Sequence, residues 1–263
     1  MTDEIKLKFN SKSEILKHYT EMYKRIPNSF IEKIEIIIKY LKTDLSSILE
    51  SEYYFAFTGG KDCLAALIIM KLYYFLKQRN DFTVNIKSLN SFFAIYSTLK
   101  LPKEKFKFVY FMNNLNFEDE EDYIVSFIKD ENLDIIYIYS DFINGVKILI
   151  NKYDMNYILM GTRKTDIKNY REVDTYQFLH KSTYPYPDFN RVYPVFHLDY
   201  EDIWRLLLLS KVNYLNLYNY GYSSIGEVSK CIVNEHLKFK NETLPAWCLN
   251  LEFSYTERSN RIT

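Results

Sequence analysis

A change of hydrophobic period between residues 51 and 67 constrains the fold of this chain more than any other feature. Residues 53–57 are consecutively apolar, which is typical of a central strand in a parallel sheet that is covered on both faces. This strand ends at Gly59 and Gly60, and residues 63–70 then continue with the composition of an apolar helix. The segment therefore predicts a strand–loop–helix unit.

Strands and helices alternate further along the chain with short connections. The predicted strands are residues 106–112, 133–139 and 157–160, and the predicted helices between them are residues 117–129 and 141–153. Such alternation favours a parallel sheet with right-handed crossovers and helices on both faces. We therefore predict a doubly wound α/β fold with a mostly parallel sheet, in which ligands bind beyond the carboxyl ends of the strands.

Segments outside this alternation are predicted to frame the core. Apolar residues recur at helical spacing twice within residues 12–50, which predicts two helices. Residues 80–105 are polar and poorly patterned and predict a long excursion. Regular alternation stops after Gly161: we expect residues 162–200 to be rich in loops, residues 201–210 to form a helix, and the rest of the chain to be irregular.

Composition and charge exclude several classes of protein. Lys plus Arg equals Asp plus Glu at 34 each, so no overall field draws the chain to nucleic acid. The longest apolar runs reach about a third of a membrane span. The three cysteines show no C-x-x-C spacing, which argues against a disulfide framework or a zinc site and fits a reducing cytosol. We expect a cytoplasmic monomer whose partners are small molecules rather than nucleic acid or membrane.

Five of the six glycines fall in three motifs, and the first motif joins the predicted strand to its helix. It reads Thr58, Gly59, Gly60, Lys61 and Asp62. Its glycines allow backbone N–H groups to face an anion, and the helix amino terminus adds partial positive charge. It is neither a Walker A loop nor a dinucleotide-binding G-x-G-x-x-G motif. The loop predicts a phosphate site, and an ordinary strand-to-helix turn is the alternative.

The second motif runs from Gly161 to Asp166, at the end of the last predicted strand and so at the same sheet edge as the first. Arg163 or Lys164 could contact phosphates, because charged nitrogens form strong hydrogen bonds to phosphate oxygens. Asp166 could hold Mg²⁺ or a hydroxyl group. A charged surface turn is the alternative.

The third motif occupies residues 219–226 and contains Gly221, Ser223 and Ser224. Its hydroxyl groups and glycines suit a second loop that faces a phosphate or a ribose. A turn that closes the carboxy-terminal region explains the same residues.

These motifs and two further segments occur in an order that resembles the eukaryotic-type FAD synthases, which are FMN adenylyltransferases of the PAPS-reductase-like superfamily. The matching segments are residues 57–63, 161–166, 186–194, 217–226 and 257–262. The first loop alone indicates only the superfamily. The enzyme is indicated by three strings, Asp-Phe-x-Arg, Gly-Tyr-Ser-Ser-Ile-Gly and Glu-Arg-x-x-Arg-Ile. The resemblance implies a fold like that of the adenine nucleotide α-hydrolases and a single domain over residues 1–263.

Within that domain, the resemblance implies three regions. These are amino-terminal helices in residues 1–50, a nucleotide-binding core in residues 51–165, and a flavin-binding and carboxy-terminal region in residues 166–263. The implied reaction joins ATP and FMN to give FAD and pyrophosphate. A phosphate monoester is largely dianionic at neutral pH, since its second pKa is roughly 6, so the attacking group needs no general base.

For the ATP side, the resemblance implies that residues 58–62 wrap the phosphates, to which the cation of Arg163 could add a contact. Asp62 and Asp166 are the implied catalytic carboxylates and Mg²⁺ ligands. Thr58 stands where the family usually has Asn, which keeps a hydroxyl donor and loses an amide.

For the flavin side, the resemblance implies that Tyr186 and Arg191 bind FMN. Arg258 and Arg261 correspond to a terminal arginine pair that reaches back to the active site and contributes to catalysis. The family usually has Asp and Trp where this chain has Thr183 and Tyr186, so a carboxylate toward the flavin ring is absent at that position.

Two other functions stay open at this point. A thiol-dependent PAPS reductase or ATP pyrophosphatase would share the first loop and would need a reactive cysteine. Cys231 and Cys248 have no partner at motif spacing, and Cys63 occupies an apolar helix position. A catalytically silent nucleotide-binding module is the other alternative, and the substitutions at Thr58 and Thr183 are the features that favour it.

Overall fold

The computed structural model describes residues 8–43, 45–46, 48, 53–112, 115–167 and 178–258. Helices α1 (Lys12–Lys24) and α2 (Asn28–Thr43) precede the sheet, as the helical periodicity predicted. Helix α1 begins after Ser11, whose hydroxyl group accepts a hydrogen bond from the Glu14 N–H at 3.3 Å. Each helix buries one apolar face, which anchors it on the core.

A six-stranded sheet forms the centre of the structure. Its strands are β1 (Tyr53–Ala56), β2 (Phe106–Met112), β3 (Ile135–Tyr139), β4 (Tyr157–Leu159), β5 (Leu179–Lys181) and β6 (Asn190–Val192). The spatial order is β3-β2-β1-β4-β6-β5, and every neighbouring pair is parallel except β5 with β6. The predicted mostly parallel α/β fold is therefore confirmed.

Helices connect the parallel strands. These helices are α3 (Lys61–Gln78) and α4 (Ile86–Ile95) between β1 and β2, α5 (Glu118–Glu131) between β2 and β3, α6 (Phe142–Tyr153) between β3 and β4, and α7 (Tyr200–Ser210) after β6. The chain adds β2 and β3 on one side of β1 and then places β4 on the other side. The boundary between β1 and β4 is thus the topological switch point, where parallel sheets of this kind bind ligands.

Both faces of the sheet are covered. In β1, Tyr53 and Phe55 belong to one core cluster, and Tyr54 and Ala56 belong to a second. Helix α3 is buried around almost its whole circumference because it lies between the sheet and α7. Helix α6 supplies Val146 and Leu149 to the second cluster. Within the residues that the structure describes, no helix has the length and apolarity needed to cross a bilayer.

The prediction of a poorly patterned excursion over residues 80–105 missed a helix. Helix α4 lies there and begins at a capping box, in which the Ser88 N–H donates to Asn85 Oδ1 and the Asn85 N–H donates to Ser88 Oγ, both at 2.9 Å. Only Leu89 and Phe92 of this helix are buried. Two apolar anchors give a weak periodic signal, which explains the error.

The loop-rich prediction for residues 162–200 missed two short strands. Strands β5 and β6 have three residues each, too few for a recognisable alternation. Strand β6 pairs in parallel with β4, with Ile158 opposite Arg191. Residues 168–177 of this stretch lie outside the described residues. The helix predicted at residues 201–210 is confirmed as α7, and single helical turns and the small hairpin of β7 (Lys238–Phe239) and β8 (Glu242–Thr243) follow it.

The end of β4 and the start of α3 are in backbone contact at Gly161. A Cβ atom on this residue would lie 2.5 Å from the carbonyl carbon of Asp62 and 2.5 Å from the backbone nitrogen of Cys63. These are backbone atoms of the helix start, so relief would require the helix itself to move. Glycine is therefore required by the close approach of the two segments.

We expect the Gly161→Ala substitution to lower the free energy of unfolding by about 2–3 kcal/mol, because it overpacks this contact. Chemical denaturation measures the change. The matched control is Gly60→Ala in the neighbouring loop. Gly60 has an ordinary φ of −65°, and its added Cβ would be 3.3 Å from the Thr58 hydroxyl oxygen, the nearest atom. Equal stability of the two variants would contradict the role of backbone contact.

Candidate functional site

The first loop turns sharply between β1 and α3. The Phe57 N–H still donates to the carbonyl of Val109 at 2.9 Å, and Gly59 then adopts a φ of +71°. Gly60 is the N-cap of α3 and offers no side-chain cap. The Gly60 N–H is 3.4 Å from the exposed Thr58 hydroxyl oxygen. The partial positive charge of the α3 amino terminus therefore lies at the switch point without a carboxylate cap.

Six charged side chains meet beside this loop, and we call them the charged network. They are Lys61, Asp62, Arg163, Asp166, Glu257 and Arg258. The first two motifs were predicted to share this sheet edge, and the resemblance implied that the carboxy-terminal segment reaches back to them; in the structure Arg258 of that segment lies against Asp166. Three cations and three carboxylates give the charged network a formal charge of zero when all are ionised.

Arg163 occupies the centre of the charged network and is only 2% exposed. Its Nε lies 3.1 Å from Asp62 Oδ1. Its Nη2 lies 2.5 Å from Glu257 Oε2 and 3.6 Å from Asp166 Oδ1. A guanidinium can contact several carboxylates at once because its donors fan out in a plane. Arg163 thus joins carboxylates from three separate parts of the chain.

Lys61 is buried as deeply as Arg163, with 1% of its surface exposed. Its ammonium group lies 3.0 Å from Asp62 Oδ2 and also contacts Glu257 Oε1. Its backbone N–H donates to the hydroxyl group of Tyr218 at 2.9 Å. The lysine side chain therefore supports the loop from inside the protein rather than extending into solvent.

The two aspartates of the charged network have opposite pKa shifts. Burial favours the neutral form of Asp62, but the charges of Arg163 and Lys61 outweigh it and hold the pKa of that carboxyl below its ordinary value. Burial also acts on Asp166, where the nearby charge of Asp62 adds to it and the pKa is raised despite Arg163. Of the two aspartates, Asp166 therefore has the charge that its surroundings compensate less well.

Asp166 is oriented by backbone and side-chain donors. Its Oδ2 accepts a hydrogen bond from the Arg163 N–H at 2.9 Å, and its Oδ1 lies 2.9 Å from Nη2 of Arg258. The side chain of Arg258 is 41% exposed, so it approaches from the solvent side. Within the described part of the chain, the buried Oδ1 atoms of Asp62 and Asp166 accept no well-aligned hydrogen bond. Both oxygens thus keep capacity for a further cation.

A cavity of about 430 Å³ opens next to the charged network. Its walls include Lys164, Asp166, Tyr200, Tyr255 and Arg258. The volume lies within the range of about 300–1,000 Å³ that small-molecule sites occupy. The Lys164 N–H donates to the carbonyl of Phe196 at 2.8 Å, which fixes the backbone beneath this wall. A charged wall and an aromatic wall suit a ligand with phosphate and ring groups.

Tyr186 and Arg191 lie together, as their shared segment suggested. The guanidinium carbon of Arg191 is 4.1 Å from the centre of the Tyr186 ring and 5.1 Å from that of Phe189. The Tyr186 ring also makes an edge contact with Phe142 of α6. Nε and Nη2 of Arg191 are buried and donate no hydrogen bond to any described residue. The segment therefore presents an aromatic ring and unused donors.

The third motif packs against the carboxy-terminal turn. The Ser223 hydroxyl group donates to the carbonyl of Glu257 at 2.7 Å, and it accepts a hydrogen bond from Asn234 Nδ2 at 2.9 Å. Ser223 and Ser224 are both buried. Gly221 has a φ of +86°, and a Cβ there would lie 2.3 Å from Thr243 Cγ2. This arrangement corresponds to the turn alternative rather than to a loop open to a phosphate.

Sequence reasoning did not select Glu257, although the carboxy-terminal string that contains it was noted. A buried glutamate between two cations leaves no local signal; only its position next to Arg258 pointed to it. Arg261 lies outside the described residues, so its predicted role in catalysis stays a prediction.

None of the three cysteines, all of them described, has the setting of a reactive thiol. Burial raises the pKa of Cys63, and its sulfur lies 3.5 Å from the Thr58 hydroxyl oxygen. Cys231 and Cys248 are buried, and none of the three cysteines forms a disulfide. A reactive cysteine needs an accessible thiolate in an electropositive setting. Thiol chemistry therefore has no support in the structure.

Comparison with known proteins agrees with this geometry. The model of the phosphoadenosine phosphosulfate reductase domain matches residues 52–232. The flavin adenine dinucleotide synthase of Saccharomyces cerevisiae is 26% identical over 233 residues, which cover 82% of this chain and 70% of that protein. The probable FAD synthase of Schizosaccharomyces pombe is 26% identical over 250 residues, which cover 94% of this chain and 86% of that protein.

A solved structure shows the same fold. The FMN adenylyltransferase of Candida glabrata in complex with FAD and inorganic pyrophosphate superimposes with a TM-score of 0.69 at 20% identity, covering 96% of each chain. At that identity the likeness concerns the fold alone. The family model, in contrast, spans well over half of the sequence. The chain therefore belongs to the phosphoadenosine phosphosulfate reductase domain family.

Proposed function

We propose that this protein is an FMN adenylyltransferase, which forms FAD and pyrophosphate from ATP and FMN. The observation that carries the proposal is the charged network at the switch point, where a loop of the phosphate-binding type meets Arg163, Asp166 and Arg258 beside a cavity. The FAD synthase of one yeast and the probable FAD synthase of another are similar in sequence to this chain over most of its length. The proposed domain covers residues 1–263 and acts as a cytoplasmic monomer.

The chemistry suits a site without a histidine base. The attacking FMN phosphate is already largely ionised at neutral pH, as its second pKa is roughly 6. The enzyme must therefore align two anions and stabilise the charge that develops on the leaving pyrophosphate. Preorganised N–H groups and fixed cations perform this task in phosphoryl and nucleotidyl transfer.

The ATP phosphates are proposed to lie over residues 58–62, at the amino terminus of α3. The amino terminus of α3, whose N-cap residue Gly60 has no side chain to cap it, attracts negative charge, and Thr58 adds a hydroxyl group at the entrance of the loop. Arg258 is half-exposed on the cavity wall, where its guanidinium can contact a phosphate without losing its contact to Asp166. Lys164 on the same wall is a second candidate for phosphate contact.

Asp62 and Asp166 are proposed to hold Mg²⁺. Their buried Oδ1 atoms both face Arg163 and accept no well-aligned hydrogen bond from a described residue. The described residues contain no group of three or more metal-binding side chains. Two carboxylates nevertheless fit Mg²⁺, which binds at nucleotide sites through one or two carboxylates together with phosphate oxygens and water. The charged network has no net charge and so cannot by itself compensate the negative charge of the phosphates. When bound, the ion would neutralise part of that charge.

FMN is proposed to contact Tyr186 and Arg191. The tyrosine ring offers a face for stacking, and the unused nitrogens of Arg191 offer donors. Thr183 contributes its carbonyl to the turn, where it accepts a hydrogen bond from the Tyr186 N–H at 3.0 Å. Tyr186 thereby keeps a defined position although Thr183 cannot supply a carboxylate.

The alternatives have less support. A thiol-dependent reductase lacks an accessible cysteine, because Cys231 and Cys248 are buried and the pKa of Cys63 is raised by burial. A silent binding module would not need the oriented carboxylate of Asp166 or the arginine against it.

We expect the purified protein to convert ATP and FMN to FAD and pyrophosphate in the presence of Mg²⁺. Chromatography of the flavins and an enzymatic pyrophosphate assay would measure both products, and chelation of Mg²⁺ with EDTA should stop the reaction. Binding of ATP without FAD formation would contradict the proposal in favour of the silent module. Thiol-dependent reduction of PAPS, lost when the cysteines are replaced by serine, would instead support the reductase.

We expect the Asp166→Asn substitution to lower kcat about 10²–10³-fold, the loss typical for removal of a charge that acts on the transition state. Stability should not fall at neutral pH. The folded-state pKa of Asp166 is raised, so the native protein binds the extra proton more readily than the unfolded chain. The free energy of unfolding of the wild type therefore decreases as the pH rises from the ordinary pKa of an aspartate through the raised pKa of Asp166. The asparagine variant has no such group and lacks this decrease.

Denaturation curves across the acidic range and at pH 8, together with kcat, test this prediction. The matched control is Asp122→Asn, which changes an exposed aspartate of α5. We expect the control to keep wild-type kcat. Wild-type turnover of Asp166→Asn would remove this residue from the proposed catalytic machinery.

A further inference from the structure

We infer that Glu257 is a positioning residue that holds Lys61 and Arg163 at a fixed spacing and delivers Arg258 to Asp166. The inference rests on the proposed function and deepens it, since it assigns to the carboxy-terminal turn a part in the same site. Three independent sets of contacts carry it: the carboxylate of Glu257, the backbone of its turn, and the residue that follows it.

The carboxylate of Glu257 bridges two cations. Its Oε1 contacts the Lys61 ammonium group, and its Oε2 lies 2.5 Å from Nη2 of Arg163. Glu257 itself is 5% exposed. Lys61 begins α3 and Arg163 follows β4, so the two cations come from the opposite sides of the switch point. One rigid carboxylate between them therefore sets the distance across the site.

Charge balance makes this bridge necessary. Lys61 and Arg163 are both buried and both positively charged. Besides Glu257, Asp62 is the one carboxylate of the charged network that contacts both of them, at 3.0 Å from Lys61 and 3.1 Å from Arg163. Without Glu257, the two buried cations would share Asp62 alone, and Arg163 would keep in addition only its longer contact to Asp166, at 3.6 Å. Leaving a buried charge uncompensated is strongly unfavourable, so the side chains would separate or admit solvent. Either response would change the geometry beneath the phosphate loop.

The turn that carries Glu257 is itself clamped by its backbone. The Glu257 carbonyl accepts the Ser223 hydroxyl group at 2.7 Å, and the Thr256 carbonyl accepts Asn234 Nδ2 at 3.1 Å. Asn234 Nδ2 also donates to Ser223 Oγ at 2.9 Å. All of these groups are buried. The third motif thus acts on the site through the carboxy-terminal turn, and the next residue, Arg258, reaches Asp166 from this fixed base.

Glu257 has two opposed effects on substrates. It orients Lys61 and Arg163, which favours turnover, and it neutralises them, which weakens their attraction for phosphates. The Glu257→Gln substitution keeps the shape and removes one negative charge, so the charged network changes from a net charge of zero to +1. Binding of a polyphosphate should become tighter while the chemical step becomes slower. A purely structural role would weaken both together.

The experiment measures binding and turnover separately in Glu257→Gln. We expect the Kd of a non-hydrolysable ATP analogue, measured by calorimetry with Mg²⁺, to fall about 3–10-fold, because one opposing charge is removed at close range. We expect kcat for FAD formation to fall about 30–100-fold, since small displacements of catalytic groups cost this much. Glu257→Asp keeps the charge but is too short to bridge both cations. Its Kd should stay near wild type while its kcat is intermediate.

Glu252→Gln is the matched control, because Glu252 is exposed on the same carboxy-terminal turn and the substitution removes the same charge. It should change neither quantity. Unchanged kcat in Glu257→Gln, or a Kd that weakens in step with kcat, would overturn the inference. If Glu257→Gln fails to fold, Glu257→Asp tests the inference instead. A wild-type kcat in Glu257→Asp would overturn the inference that Glu257 is a positioning residue.

The binding measurement also separates this inference from the proposed function. If the wild-type protein binds the ATP analogue but forms no FAD, the proposed function fails. The tighter binding expected for Glu257→Gln still tests the position of Glu257 between Lys61 and Arg163. Equal Kd values for the two proteins would then reject the inference on its own.

Discussion

The buried guanidinium of Arg163 is the interaction on which the rest of the site depends. A charge this deep is tolerated only when carboxylates surround it, and here Asp62, Asp166 and Glu257 all do so. They come from the start of α3, the turn after β4 and the last described turn of the chain. The need to compensate one cation thus draws three distant segments to the switch point.

The same network explains how a chain without net charge can serve anionic substrates. Its six charges cancel, yet the two aspartates differ: Arg163 and Lys61 outweigh burial at Asp62, whereas burial dominates at Asp166 and raises its pKa. The less compensated carboxylate lies on the wall of the cavity and next to the half-exposed Arg258. Local arrangement rather than overall charge therefore accounts for the proposed binding of phosphates and Mg²⁺ at this edge.

Sequence periodicity predicted the parts of the fold that have long, strong patterns. The strand at residues 53–57 and the helix after it form because a continuous apolar run and a helical apolar run demand burial on both faces. Helix α4 was missed because it has only two buried anchors, and β5 and β6 because three residues carry no period. Parallel topology then predicted that Arg163 and Asp166 lie next to the first loop. This prediction needed no knowledge of side-chain contacts.

By itself the sequence determined the α/β class, the shared sheet edge of the first two motifs and the family resemblance, because each follows from local pattern or from order along the chain. Only the tertiary structure decided that Lys61 is buried, that Ser223 supports a turn, and that Glu257 belongs to the site. The Lys61–Glu257 contact joins residues 196 positions apart. No local period encodes such a contact; it arises when buried charges must find partners in the folded chain.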